Sequence, residues 1–130
     1  MMWTRFALAS VVAMMALIYA GSAPAGPLED GNAAYKRGDY ATAMRILGPL
    51  ANQGDGMAAT TVGLMYYFNY GVPQDYATAH MWFNLGAARG NSLGAFFLKT
   101  IAEKMTPAQI AEAQRLAREW KPMSTPPAAR

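Results

Sequence analysis

The chain has 130 residues, 53% hydrophobic and 15% charged, which suits one compact domain and rules out two large ones. Eleven Lys plus Arg against eight Asp plus Glu leave a net charge of +3, far from the dense basic stripe of a nucleic-acid binder. Cysteine is absent and His80 is the single histidine, which removes disulfide frameworks, thiol nucleophiles, thiolate metal sites and His-rich ligand sets.

At the N-terminus, Arg5 precedes a charge-free, largely apolar run over residues 6–20, followed by Gly21, Ser22, Ala23, Pro24 and Ala25. This is the layout of a secretory signal peptide over residues 1–25. Ala23 and Ala25 offer the small side chains a signal peptidase reads, so cleavage is expected after Ala25. A domain over residues 26–121 would then lie in the periplasm or outside the cell. If residues 6–28 stay attached, that charge-free stretch is long enough to anchor the chain in a membrane, the only membrane contact expected.

The next element contains an internal repeat. Asp39, Tyr40, Ala41, Thr42 and Ala43 recur 36 residues later as Asp75, Tyr76, Ala77, Thr78 and Ala79. In the same register Ala51 matches Ala87, Gly54 matches Gly90, and Asp55 is replaced by the similar Asn91. A period of this length marks a stacked helical array. Asp39 and Asp75 stand where a carboxylate caps a following helix, which explains both without invoking acid and base chemistry. Pro49 falls inside the helix after Asp39, yet Met44, Leu47, Leu50 and Ala51 keep one apolar face across it, which predicts a kinked helix.

In the second repeat, helical spacing predicts a first helix over residues 57–69, with Ala58, Val62, Met65, Tyr66 and Asn69 on one stripe. Gly71, Val72, Pro73 and Gln74 form the turn. The second helix is predicted over residues 76–89, with Tyr76, Ala79, Trp82, Phe83, Gly86 and Ala87 on one face and Gly90 as the left-handed terminator. Further on, Thr106, Pro107 and Gln109 make a capping box with proline at the first helical position. That helix should run to about residue 121 and cap the stack. Pro122 and the residues to Arg130, with Pro126 and Pro127, read as a disordered tail.

Taken together, Gly71, Val72, Pro73, Gln74, Asp75 and Tyr76, with Ala79, Trp82, Phe83, Ala87, Ala88, Gly90 and Asn91, resemble a Sel1-like repeat, a relative of the tetratricopeptide repeat. One repeat matches in full, over about residues 58–91. The first matches only in its second helix, and the third only in its first, from Leu93 to about Lys104. Asn69 and Gly94 depart from the pattern, which usually has Gly and Ala there; Asn69 can still adopt the left-handed conformation. The resemblance implies an all-α fold, a short α/α solenoid of about two and a half repeats plus a C-terminal capping helix, and a small secreted bacterial protein that binds other proteins. So few repeats bury little core, so the terminal helix must complete the stack, with dimerisation through the open end as the fallback.

Because one cysteine-rich secreted branch of that family is associated with penicillin binding, a cell-wall or β-lactam hydrolase is the alternative. No serine here is followed three positions later by lysine, and Ser92 is the one serine between residue 25 and the tail, so His80 lacks an obvious triad partner. A soft methionine metal site is less simple than core filling by Met44, Met57, Met65 and Met81. No cofactor is expected. What remains is aromatic: Tyr67 and Phe68 on one helix, and Phe96 and Phe97 on the next helix of the same class, with Arg89 and Lys99 as rim charges. They are candidate anchors for a protein or peptide partner unless a neighbouring helix covers them.

Overall fold

The structure, a computed structural model, describes residues 26–123 and is helical throughout, with no strand among the described residues. Its helices are α1 (Pro27–Lys36), α2 (Tyr40–Asn52), α3 (Gly56–Phe68), α4 (Tyr76–Ala88), α5 (Ser92–Ala102) and α6 (Pro107–Glu119). The expected signal peptide over residues 1–25 and tail residues 124–130 lie outside the described residues. Pro122 and Met123 are described. The Met123 N–H donates to the Asn52 carbonyl at 2.7 Å, so the chain stays attached to the end of α2 beyond the expected limit at residue 121.

Short side chains with oxygen acceptors start five of these helices. The N–H of Thr42 donates to Asp39 at 3.3 Å, and the N–H of Thr78 donates to Asp75 at 3.1 Å, so the repeated Asp residues are caps. The other pair in the repeat register does the same work: Asp55 accepts from the N–H of Ala58 at 2.8 Å, and Asn91 from that of Gly94 at 2.9 Å. Thr106 and Gln109 close the reciprocal box expected of α6. At the other ends, Asn69 adopts φ 58° and ψ 44°, the left-handed conformation read for it, and Gly90 has φ 84°.

α1 lay outside the resemblance. Pro27 supplies its preset first residue, Glu29 and Asp30 sit in its first turn, and Lys36 sits in its last, each complementing the helix dipole. α2 runs as one helix through Pro49, whose exposed position lets water reach the carbonyl that the missing N–H would have engaged.

Successive helices α1 to α5 run antiparallel and pack on one another, and α3 also touches α5 alongside it. α3 is buried almost all round, with Ala58, Ala59, Thr60, Val62, Gly63 and Met65 inside. Two apolar clusters flank it. One joins Leu47, Ala51, Val62, Met65 and Trp82, and the other joins Leu64, Tyr67, Phe83 and Ile101. α6 packs on α4 rather than on α5. Gln109 lies near Tyr76 and Ala77, while Trp120 lies near Leu85 and Ala88, so α6 runs parallel to α4. The Trp82 and Trp120 rings meet edge to face at 6.4 Å.

Three helices converge on Thr60. A Cβ at Gly94 would stand 2.8 Å from Thr60 Oγ1 and 3.0 Å from the backbone nitrogen of Ala87, and one at Gly86 would collide with Thr60. An alanine at position 94 does not fit this packing. Gly94→Ala therefore costs about 1–2 kcal/mol of stability after the helix-propensity gain of about 1 kcal/mol is subtracted. Urea unfolding checks this, and an unchanged midpoint would contradict the close approach.

Candidate functional site

Helices α1, α3 and α5 share one face of the molecule, with α3 in the middle. The Asn32 amide of α1 donates to Met57 Sδ at 3.3 Å, and its oxygen lies 3.4 Å from Thr61 Oγ1, whose shorter bond, at 3.1 Å, goes to the Met57 carbonyl; both residues are on α3. On the other flank, Phe97 of α5 lies 5.9 Å from the Tyr67 ring and 6.2 Å from the Phe68 ring. Thr61 and Leu64, each 8% exposed, form the floor between these flanks. Helical spacing places Met57, Thr61, Leu64 and Phe68 on one stripe of α3, so the floor and its two ends belong to the same face.

The four aromatic candidates separate by burial. Phe68 is 43% exposed and Phe96 62% exposed, whereas Phe97 is partly buried, stacked on Phe83 at 5.4 Å. Tyr67 is only 6% exposed. It sits among Phe68, Tyr76, Phe83 and Phe97, and its hydroxyl accepts from Lys104 Nζ at 2.8 Å. Tyr67 is therefore a support for the face rather than an anchor on it. That bond, with the nearby Tyr67 oxygen, holds the Lys104 ammonium above its ordinary value.

The two expected rim charges lie apart from each other. Arg89 follows α4 and packs against Gly54 and Gly56, at the opposite end of α3 from Phe68. Lys99 is exposed on α5, three residues past Phe96 and so its neighbour at helical spacing, though more than half a turn around the helix from Phe97. Lys104, which the sequence reading did not single out, also stands at the aromatic end, against Tyr67.

A group of tyrosines escaped the sequence reading. Tyr40 and Tyr70 stack at 4.6 Å with 1° between their planes, Tyr35 tilts against both, and Phe68 stacks on Tyr70 at 5.4 Å. With Phe97 and Phe96 they form a continuous aromatic row from the start of α2 across the end of α3 to α5. The signal was present in the repeat itself: Tyr40 and Tyr76 are equivalent positions, and each stacks on an aromatic from the end of α3 or the turn after it. Burial and the neighbouring Tyr70 and Tyr40 raise the Tyr35 hydroxyl above its ordinary value.

The remaining signature residues are structural. Ala79 and Trp82 are buried, Gly71 has φ 77° beside Tyr40, and exposed Ala88 lines the cleft between α4 and α6. Of the methionines read as core filling, Met65 and Met81 are buried and Met44 is partly buried. Met57 is the exception, 49% exposed at the lower end of the groove.

Among the described residues, no three or more His, Asp or Glu side chains gather as a metal site would require, and no helix is long and apolar enough to cross a membrane. His80 is half-buried on α4 in a cleft shared with Asn84, Ala113, Gln114, Ala117 and Arg118. Comparison with protein-family models, with curated proteins and with solved structures found no match.

Burial under α6 depresses the His80 pKa below its ordinary 6.5. The unfolded chain thus binds the proton more readily, and the stability from neutral His80, full above that value, declines as pH falls through it. His80→Gln should flatten the fall in thermal midpoint between about pH 7 and pH 5.5. An identical decline in the variant would contradict His80 as its source.

Proposed function

We propose that this chain is a non-catalytic protein-binding module of the bacterial envelope, a short α/α solenoid of Sel1-like repeats. The repeat reading draws support from the equivalent caps Asp39 and Asp75, the second pair Asp55 and Asn91, and the pairing of like helices, α3 with α5 and α4 with α6. The periplasmic assignment rests on the leader-like composition of residues 1–25.

One observation carries the functional reading. Of the five exposed large apolar side chains among the described residues, Met57, Phe68, Leu93 and Phe96 all lie on α3 and α5. Their exposures run from 43% to 62% on neighbouring helices, and among the described residues Met123, past the last helix, is the one other large apolar side chain this exposed. Exposed apolar side chains gathered on two neighbouring helices support an interaction site, and aromatic side chains are the usual anchors. Tyr67, Phe83 and Lys104 brace Phe97 and Phe68 from beneath, which lowers the ordering cost when a partner lands.

The paired substitution Phe68→Ala and Phe96→Ala tests the reading, because both side chains are exposed and their loss leaves the core filled. Crosslinking and pull-down from envelope extract should recover a specific protein with the parent chain. The variant should lose about 2 kcal/mol or more of binding with helicity unchanged. Equal recovery by both proteins would reject the aromatic face, and β-lactam or cell-wall peptide turnover by the purified protein would reject the non-catalytic reading.

A further inference from the structure

We propose that Met57 is a methionine oxidation site, cradled by Asn32 and Thr61, whose sulfoxide makes the lower end of the apolar face polar. Met57 is 49% exposed, so an oxidant in solution reaches it, whereas Met65 is fully buried and Met81 is 9% exposed. Its sulfur is also set in a polar cradle. Asn32 Nδ2 donates to Met57 Sδ at 3.3 Å, and the Thr61 hydroxyl, which donates to the Met57 carbonyl at 3.1 Å, lies 3.4 Å from Asn32 Oδ1 on the other side of that amide. Among the described residues no other methionine sulfur has a hydrogen bond. Met123, 55% exposed, is accessible without such a cradle.

The chemistry needs a two-electron oxidant of the peroxide class. One sulfur lone pair attacks the near oxygen of hydrogen peroxide, an S–O bond forms as the O–O bond breaks, and the departing hydroxide takes the remaining proton and leaves as water. Sulfur loses two electrons and the peroxide gains two. Because Asn32 engages one lone pair, the other is the one presented for attack, so a single sulfoxide epimer predominates. The product oxygen, added on the lone pair away from Asn32, is a stronger acceptor than the thioether sulfur. Oxidation thus converts a flexible apolar side chain into a polar, chiral one on a surface that binds through apolar contact. The consequence for binding rests on the interaction reading above; the oxidation chemistry does not.

The test is limited hydrogen peroxide treatment of the purified protein, peptide mass mapping, and reduction by the two epimer-specific methionine sulfoxide reductases. Met57 and Met123 should gain an oxygen well before Met65 and Met81. At Met123 the two reductases should each remove about half of the sulfoxide, whereas at Met57 one should remove nearly all. Asn32→Ala should bring Met57 back to equal epimers with helicity unchanged. Oxidation of Met57 no faster than Met65, or equal epimers at Met57 in the parent protein, overturns the proposal. These readouts need no partner, so they fail or succeed independently of the pull-down.

Discussion

Everything on the outer face follows from how closely three helices approach at one threonine. Thr60 turns its hydroxyl back to the Gly56 carbonyl at 2.8 Å, and Gly86 and Gly94 present no Cβ toward it, so α4 and α5 settle directly on α3. A hydroxyl donating within its own helix leaves no unsatisfied polar group in that tight place. With α5 drawn against α3, their C-terminal halves lie side by side, and Phe97 wedges between Phe83 and Tyr67. Phe68, Phe96 and Leu93 then have no inward position left to occupy. Their exposure is a consequence of this packing.

The helix ends were legible in the sequence because capping is local chemistry. A carboxylate, amide or hydroxyl oxygen two or three residues before a free N–H needs no tertiary information, and the 36-residue repeat is largely a repeat of such caps. Burial was not legible, because it depends on which helix lies across the way. Tyr67 and Phe68 are adjacent in sequence and aromatic alike, yet one is covered by α4 and α5 and the other opens to solvent. Arg89 looked like a rim charge because nothing local reveals that the end of α4 packs on the turn before α3. Met57 looked like core by composition alone. Its exposure follows from the edge of α3 that it occupies, beside α1, a helix the repeat signature did not include.

The two faces of the molecule divide the work. Helices α3 and α5 carry the exposed apolar and aromatic side chains, and α6 carries charge. Arg115 lies between Glu112 and Glu119 on its outer surface, and those contacts lower Glu112 and raise Arg115 from their ordinary values. Exposed pairs of this kind add little stability but keep the back of α4 wetted and unattractive to apolar partners. α6 seals Trp82 and Leu85 through Leu116, Ala117 and Trp120, so one side of the domain is closed while the other stays open. The pH sensitivity lodged at His80 belongs to the closed side, and the oxidisable Met57 belongs to the open one.

The central claim is that a protein partner meets the α3 and α5 face and not the α6 face. Site-specific photocrosslinking in intact cells addresses it most directly, with the photoreactive residue placed at Phe68, at Phe96, or at exposed Ala111 on α6. A common crosslinked partner from positions 68 and 96 but not from 111 is the result the account predicts. Crosslinks from position 111 alone would contradict it.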